Sequence, residues 1–227
     1  MPSSVSPYDD DQAPAFKCAY CRRDLFQLEV ELGRITCFPC ENNARARLRE
    51  LPGQYNSLGE LLVPGRAVGE SAKITGSKDA PIPAAMQPLN LRARGGIVTL
   101  LQDVEDSWRP YLNKTIATFA GSHAQTLAKV VKFLSTNLNW ACREYEYIDD
   151  DLDTIDTLYW QAKSLIDGHK PRPIPVHCRY LYDDGTECEA PMRMDINRTS
   201  TKCSTCGTRW GREEWVALYE ATRAIAA

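Results

Sequence analysis

Two sets of four cysteines constrain this chain more than any other feature. Cys18 and Cys21 form one C-x2-C pair, Cys37 and Cys40 form a second, and fifteen residues separate the pairs. Each pair turns sharply enough to present two sulfurs to one ion, which matches a tetrahedral zinc site. Zinc neutralises the thiolates, and its binding energy becomes folding energy for a small module. The alternative of an iron-sulfur cluster loses support because the close C-x2-C-x2-C run of a bacterial ferredoxin is absent. Near the other end, Cys178 and Cys188 in C-x9-C spacing precede the tight pair Cys203 and Cys206. That looser set reads as a second zinc site, with Gly207 fitting the knuckle turn. His177 is adjacent and could replace Cys178, although the four-cysteine set is complete without it. Cys142, close to Trp140, reads as a packed thiol.

The opening run MPSSVSPYDDDQAPAFK has neither a basic start nor an apolar stretch, so no secretory signal is expected. A reducing, cytoplasmic setting follows, in which thiols persist as metal ligands. No apolar run approaches the roughly 20 residues needed to cross a bilayer, and no membrane partner is expected.

With 227 residues and 43% hydrophobic content, the chain is long enough for a real core. The expected class is α+β, mainly α: a three-helix central bundle flanked by an N-terminal treble-clef-like zinc module and a C-terminal zinc ribbon. Residues 1–14 read as a disordered tail. Residues 15–52 form the first zinc module, with LFQLEVELGRIT as a hairpin turning at Gly33 and ENNARARLRELP as a helix stopping before Pro52. Residues 53–95 read as a linker, opened by a short helix over YNSLGELL and extended between Gly65 and Pro88. Its GESAKITGSK lacks the spacing of a phosphate-binding loop.

Residues 96–168 carry helical periodicity in three stretches. The first places Ile97, Leu100, Leu101, Val104 and Trp108 on one face and continues past Pro110 to Phe119; the others run over about Ala124–Asn139 and Leu152–Asp167. Residues 169–227 read as short strands with turns at Asp184-Gly185 and Asn197-Arg198, followed by a terminal helix whose Trp215, Leu218, Tyr219 and Ile225 can pack inward.

Charge is segregated. Residues 97–168 hold eleven acids against six bases, whereas the cysteine-bearing segments lean slightly basic. Arg22, Arg23, Arg45 and Arg49 at one end, with Arg193, Arg198, Lys202, Arg209 and Arg212 at the other, are candidates for contacting phosphates. The same arginines could instead lie on a solvated face, paired with residues such as Glu41 and Glu50. Lys73, Lys78, Arg92 and Arg94 extend the basic set through the linker. The net charge of −3 gives no general case for a polyanion partner.

The acidic run at Asp149, Asp150, Asp151, Asp153 and Asp156 opens like a calcium loop, but Thr154 and Trp160 stand where that loop needs Gly and Glu. Its expected role is to cap the start of a helix, meeting its free N–H groups and the positive end of its dipole, and to aid solubility. No catalytic residues, small-molecule substrate or organic cofactor are assigned: His123 lacks a nucleophilic partner, His169 precedes a turn, and four cysteines leave zinc no open position.

Taken together, CAYCRRDLF with GRITCFPC, GSKDAPIPAAMQPLNL, VVKFLSTNLNW and CSTCGTRWGREEWVALY resemble a loosely defined set of actinobacterial and actinobacteriophage zinc-ribbon proteins over nearly the whole chain. Some longer members of that set look like DNA-binding proteins because they continue into a helix-turn-helix segment, which this sequence, ending at Ala227, does not include. The resemblance implies the zinc ligands and the fold. The leading expectation is a non-enzymatic phage or prophage protein with two structural zinc ions, binding DNA through its basic zinc modules. The alternative is a structural or regulatory adaptor that meets a protein partner or a second copy of itself.

Overall fold

The computed structural model describes residues 16–62, 86–168 and 173–225. The expected tail, most of the expected linker with Lys73 and Lys78, and His169 fall outside the described residues, as does the side chain of Ile225. Among the described residues, seven α-helices come with four short strands: α1 (Gln27–Glu31), α2 (Phe38–Glu60), α3 (Met86–Arg92), α4 (Ile97–Trp108), α5 (His123–Glu144), α6 (Ile148–Ile166), β1 (Ile174–His177), β2 (Pro191–Met194), β3 (Ser200–Lys202), β4 (Arg209–Gly211) and α7 (Trp215–Ile225). No helix among them is long and apolar enough to cross a membrane.

A mostly helical core lies between two four-cysteine clusters near the two ends of the chain. Its axis is α2, which differs from the expected three-turn helix. The helix passes through Pro52 and extends to Glu60, because Cys40, Ala44, Leu48, Leu51, Tyr55 and Leu58 keep one buried stripe on both sides of the proline. Burial of Leu51, Tyr55 and Leu58 outweighs the roughly 3 kcal/mol that an interior proline costs. Four long helices, α2, α4, α5 and α6, therefore share one core with Cys18, Cys37 and Cys40. The first cysteine cluster is built onto the bundle instead of standing beside it.

Three further expectations change. The stretch between the first two cysteine pairs is the short helix α1, not a hairpin, although Gly33 does make the turn with φ at +63°. Glu29 decides this: its buried carboxylate accepts the backbone N–H of Phe26 at 2.9 Å and of Phe38 at 2.7 Å, which curls the segment. After Trp108 the helix ends instead of restarting beyond Pro110. Asn113 adopts φ +53°, and Arg109 donates to the Thr115 carbonyl at 2.7 Å, leaving Ile116 and Phe119 exposed. Within the expected linker, Met86–Arg92 forms α3, which buries Pro88.

The C-terminal unit is two antiparallel pairs, β1 with β2 and β3 with β4, closed by α7. Val176, Met192, Met194, Trp215 and Leu218 make its small core together with Cys178 and Cys203. The expected turns appear: Gly185 has φ +80°, and Asn197 donates its N–H to the Asp195 side chain at 2.9 Å.

One contact within the bundle carries a pH dependence. The fully buried Trp108 on α4 donates its indole N–H to Asp151 Oδ2 on α6 at 2.6 Å. Burial pushes the Asp151 carboxyl up to about 7, assisted by Asp150 and Asp149 and opposed by the Trp108 hydrogen bond. The folded state thus keeps a proton that the unfolded chain releases near pH 4, and the protein loses stability as pH rises from there to about 7. Asp151→Asn, which retains an acceptor without the charge, should raise the unfolding midpoint more at pH 8 than at pH 5.5, by a difference on the order of 1 kcal/mol. Thermal unfolding followed by circular dichroism at the two pH values measures it.

Candidate metal centres

Both C-x2-C turns that lie outside helices have the same backbone. In the first, Cys18 N–H donates to Arg23 O at 2.8 Å and Arg22 N–H to Cys18 O at 3.0 Å; in the other, Cys203 N–H donates to Thr208 O at 2.8 Å and Gly207 N–H to Cys203 O at 2.9 Å. The residue after the second cysteine is left-handed in each, Arg22 at φ +65° and Gly207 at φ +75°. The pair Cys37 and Cys40 instead rides on the start of α2, with Cys37 as N-cap and Pro39 in the first turn, where a missing N–H costs nothing.

These turns converge their sulfurs. Cys18 and Cys40 Sγ lie 3.9 Å apart, and Cys21 and Cys37 Sγ lie 3.7 Å apart. In the second centre Cys178 and Cys206 Sγ are separated by 3.6 Å, and Cys188 and Cys203 Sγ by 3.9 Å. All four sulfurs of each centre fall within 4.8 Å of one another. A tetrahedron with zinc-sulfur bonds of about 2.3 Å has edges of about 3.8 Å, so each centre fits one such ion. Two separate four-cysteine centres, each able to coordinate a metal ion, are thus present, as the spacing predicts.

The thiols of each centre are shifted in opposite directions, Cys21 and Cys40 upward by hydrogen bonds among the clustered sulfurs and Cys18 downward. Cys18 accepts the backbone N–H of Cys37 at 3.3 Å, and hydrogen bonds from its neighbours, Cys21 first and then Cys37 and Cys40, hold its thiol far below the usual range. In the second centre burial pushes Cys178 up to about 12, whereas at Cys206 burial is outweighed by hydrogen bonds from Thr208 that bring the thiol down to about 6. His177 takes no part in the cluster. Its backbone N–H donates to Thr222 Oγ1 on α7 at 3.0 Å, and Cys178 supplies the ligand. Cys142 is the packed thiol expected, pushed up to about 12 by burial, and its carbonyl accepts the N–H groups of Ile35 and Thr36.

Buried charges tie the first centre together. Glu29 pairs with Arg23 at 3.1 Å besides its backbone bonds, linking the residues that follow Cys21 and Cys37. Arg34 and Arg45 both pair with buried Glu41 at 2.6 Å, and these two arginines, Arg45 first, hold its carboxyl down against burial.

The second centre is docked on the bundle by charge. Arg209, buried on β4, reaches Asp149 at 3.1 Å, Asp150 at 3.0 Å and Asp153 at 3.2 Å on α6. Arg198 pairs with Asp153 at 2.7 Å and Lys202 with Asp150 at 2.6 Å. Below them, wholly buried Asp156 meets Arg47 at 2.8 Å and the Tyr20 hydroxyl at 2.7 Å, with burial pushing its carboxyl up and Arg47 opposing. Asp149, Asp150 and Asp151 do occupy the first turn of α6, where the helix dipole favours them, yet none caps it with a side chain. Backbone contact completes the junction: a Cβ on Gly211 would come within 2.1 Å of the Cys21 carbonyl, so only glycine lets β4 reach the first knuckle.

The candidate phosphate-binding residues therefore have distinct fates. Arg23, Arg45, Arg198, Lys202 and Arg209 are in ion pairs, and Arg212 donates to the carbonyls of Ile196 and Arg198. Arg22, Arg49 and Arg193 are exposed and form no ion pair among the described residues. Sequence reasoning missed Glu29, and it singled out the aspartates of α6 without their role as a docking platform; the opposed charge of α6 and the ribbon was the available signal.

Comparison of the chain with protein-family models, with curated proteins and with solved structures finds no match.

The shared knuckle turn makes a paired prediction. Arg22→Gly should stabilise the protein by about 1 kcal/mol by removing a left-handed non-glycine residue, and Gly207→Ala should destabilise it by about the same amount. Denaturant titration of the zinc-loaded protein tests both. Native mass spectrometry should find two zinc ions per chain, and a strong chelator should abolish cooperative unfolding.

Proposed function

We propose that the chain is a non-enzymatic, zinc-stapled adaptor whose rigid surface meets a protein partner. One observation carries this reading: three of the five candidate phosphate contacts of the C-terminal unit, Arg198, Lys202 and Arg209, are engaged by the aspartates of α6, with Arg209 only 7% exposed. Four thiolates saturate each centre, which suits bracing more than activating a water. Exposed apolar side chains offer contact area away from that junction: Phe26 and Leu28 on the first zinc module, Leu181 and Val216 on the second. The resemblance to actinobacteriophage proteins supports a phage or prophage origin and action in the host cytoplasm.

The second reading, nucleic-acid binding, rests on the exposed Arg22, Arg49 and Arg193. Fluorescence anisotropy with duplex DNA, single-stranded DNA and RNA at about 50 mM salt separates the two. The adaptor reading expects no saturable binding below about 10 µM, whereas tight, steeply salt-dependent binding would overturn it. Arg209→Ala should cost about 3 kcal/mol of stability by leaving Asp149 without an ion partner and Asp150 and Asp153 with one each, and should not lower nucleic-acid affinity.

A further inference from the structure

Between α2 and α5 runs a groove of about 330 Å³ with two parallel helical stripes along it. Arg45, Arg49 and Pro52 line the α2 side at i, i+4 and i+7, and Ala128, Val131 and Lys132 line the α5 side at i, i+3 and i+4. Seven residues of helix make a trough about 10 Å long, two turns of a third helix. Its floor is apolar, from Pro52, Ala128 and Val131. Its rims are cationic. Arg49 and Lys132 are exposed and form no ion pair among the described residues. Arg45 is fixed by Glu41 and by the Ser135 carbonyl at 2.8 Å, so it shapes the wall without adding free charge.

Among the described residues, the neighbouring acids on α2 and α5 are engaged elsewhere. Glu50, next to Arg49, accepts the Tyr159 hydroxyl at 2.8 Å, and Glu41 is buried. On α5 the first acid is Glu144, three turns beyond Lys132, where it accepts the Trp140 indole N–H at 3.0 Å. The groove is thus a positive trough in a chain of net charge −3.

We infer that this groove docks an amphipathic helix of a partner protein, with small or medium apolar side chains at i, i+3 or i+4, and i+7 on the floor and Glu or Asp along both flanks facing Arg49 and Lys132. The apolar floor favours such a helix over a nucleic-acid backbone, which would need cations along the whole track, and among the described residues no aromatic ring lines the groove to stack a base. The inference rests on the adaptor reading and names its partner chemistry.

The test uses the full zinc-loaded chain and a displayed library of helical peptides with fixed acidic flanks and randomised anchor positions. The enriched peptide is then synthesised beside a scramble of identical composition. At about 0.15 M salt the peptide should bind at least about tenfold more tightly than its scramble, because position and not charge alone sets the fit. The variant Arg49→Glu/Lys132→Glu, whose changes are exposed and should leave the circular dichroism melt unaltered, should weaken binding about tenfold or more. Val131→Asp should do the same with both cations kept. Failure of the library to enrich, equal binding of the scramble, or retained binding by both variants would overturn the inference. So would loss, in the double variant, of self-association or of DNA binding seen in the parent chain. A partner that binds the double variant as well as the parent sinks the groove while leaving the adaptor standing. Nucleic-acid binding that survives the double variant sinks the adaptor instead.

Discussion

A ribbon made of strands three and four residues long buries little apolar surface, and among the described residues its own core amounts to eight buried side chains, two of them cysteines. Closure of Cys178, Cys188, Cys203 and Cys206 around one ion supplies what such a core lacks, since the binding free energy of structural zinc is itself folding free energy. The first centre plays a different part. Cys18, Cys37 and Cys40 lie within the main helical core, and Cys40 begins the stripe that α2 buries down its length. Metal there fixes the direction in which α2 leaves the knuckle, and with it the packing of α5 and α6.

The junction between the two centres is an arrangement of charge. Aspartates at the start of α6 face the positive end of the helix dipole, and the ribbon then brings Arg209, Arg198 and Lys202 onto the same carboxylates. Desolvating such groups is expensive, so the network adds less net stability than its contacts suggest, yet a misplaced ribbon would leave charges buried and unpaired. Gly211 adds a steric condition to the electrostatic one, because the Cys21 carbonyl tolerates no side chain there. Docking in a single register follows from the two together.

What could be read from the sequence divides along the range of the interactions involved. The metal ligands are legible because a knuckle is a local turn with fixed spacing, and both centres close from the cysteines that spacing selects. The cores of α4, α5 and α6 are legible because a buried stripe repeats within a few residues. Pro52 misleads because a local breaker is judged without the tertiary burial of Leu51, Tyr55 and Leu58 that overrides it. The α1 segment misleads because the groups that bend it meet at Glu29, which bonds Phe38 nine residues away. Least legible is the purpose of the arginines. Arg209 and Asp149 are separated by 60 residues, and no local pattern says that one neutralises the other.

That long-range pairing also changes what the net charge means. Counted by segment, the ends look basic and the middle acidic, which suggests a phosphate-binding protein with an acidic spacer. Folded, the opposed segments cancel at the α6 junction, and positive charge is left where none of the described acids pairs with it. Arg49 and Lys132 are such a place, on helices whose other faces are committed to the core and, for α2, to the first metal centre. Cys40 and Arg45 sit on one helix within two turns, so an ion held at the first centre would brace the helix that forms one wall of the groove. A preformed wall lowers the ordering cost of binding a helix, and this would link a structural metal to the proposed docking without giving it any chemistry to perform.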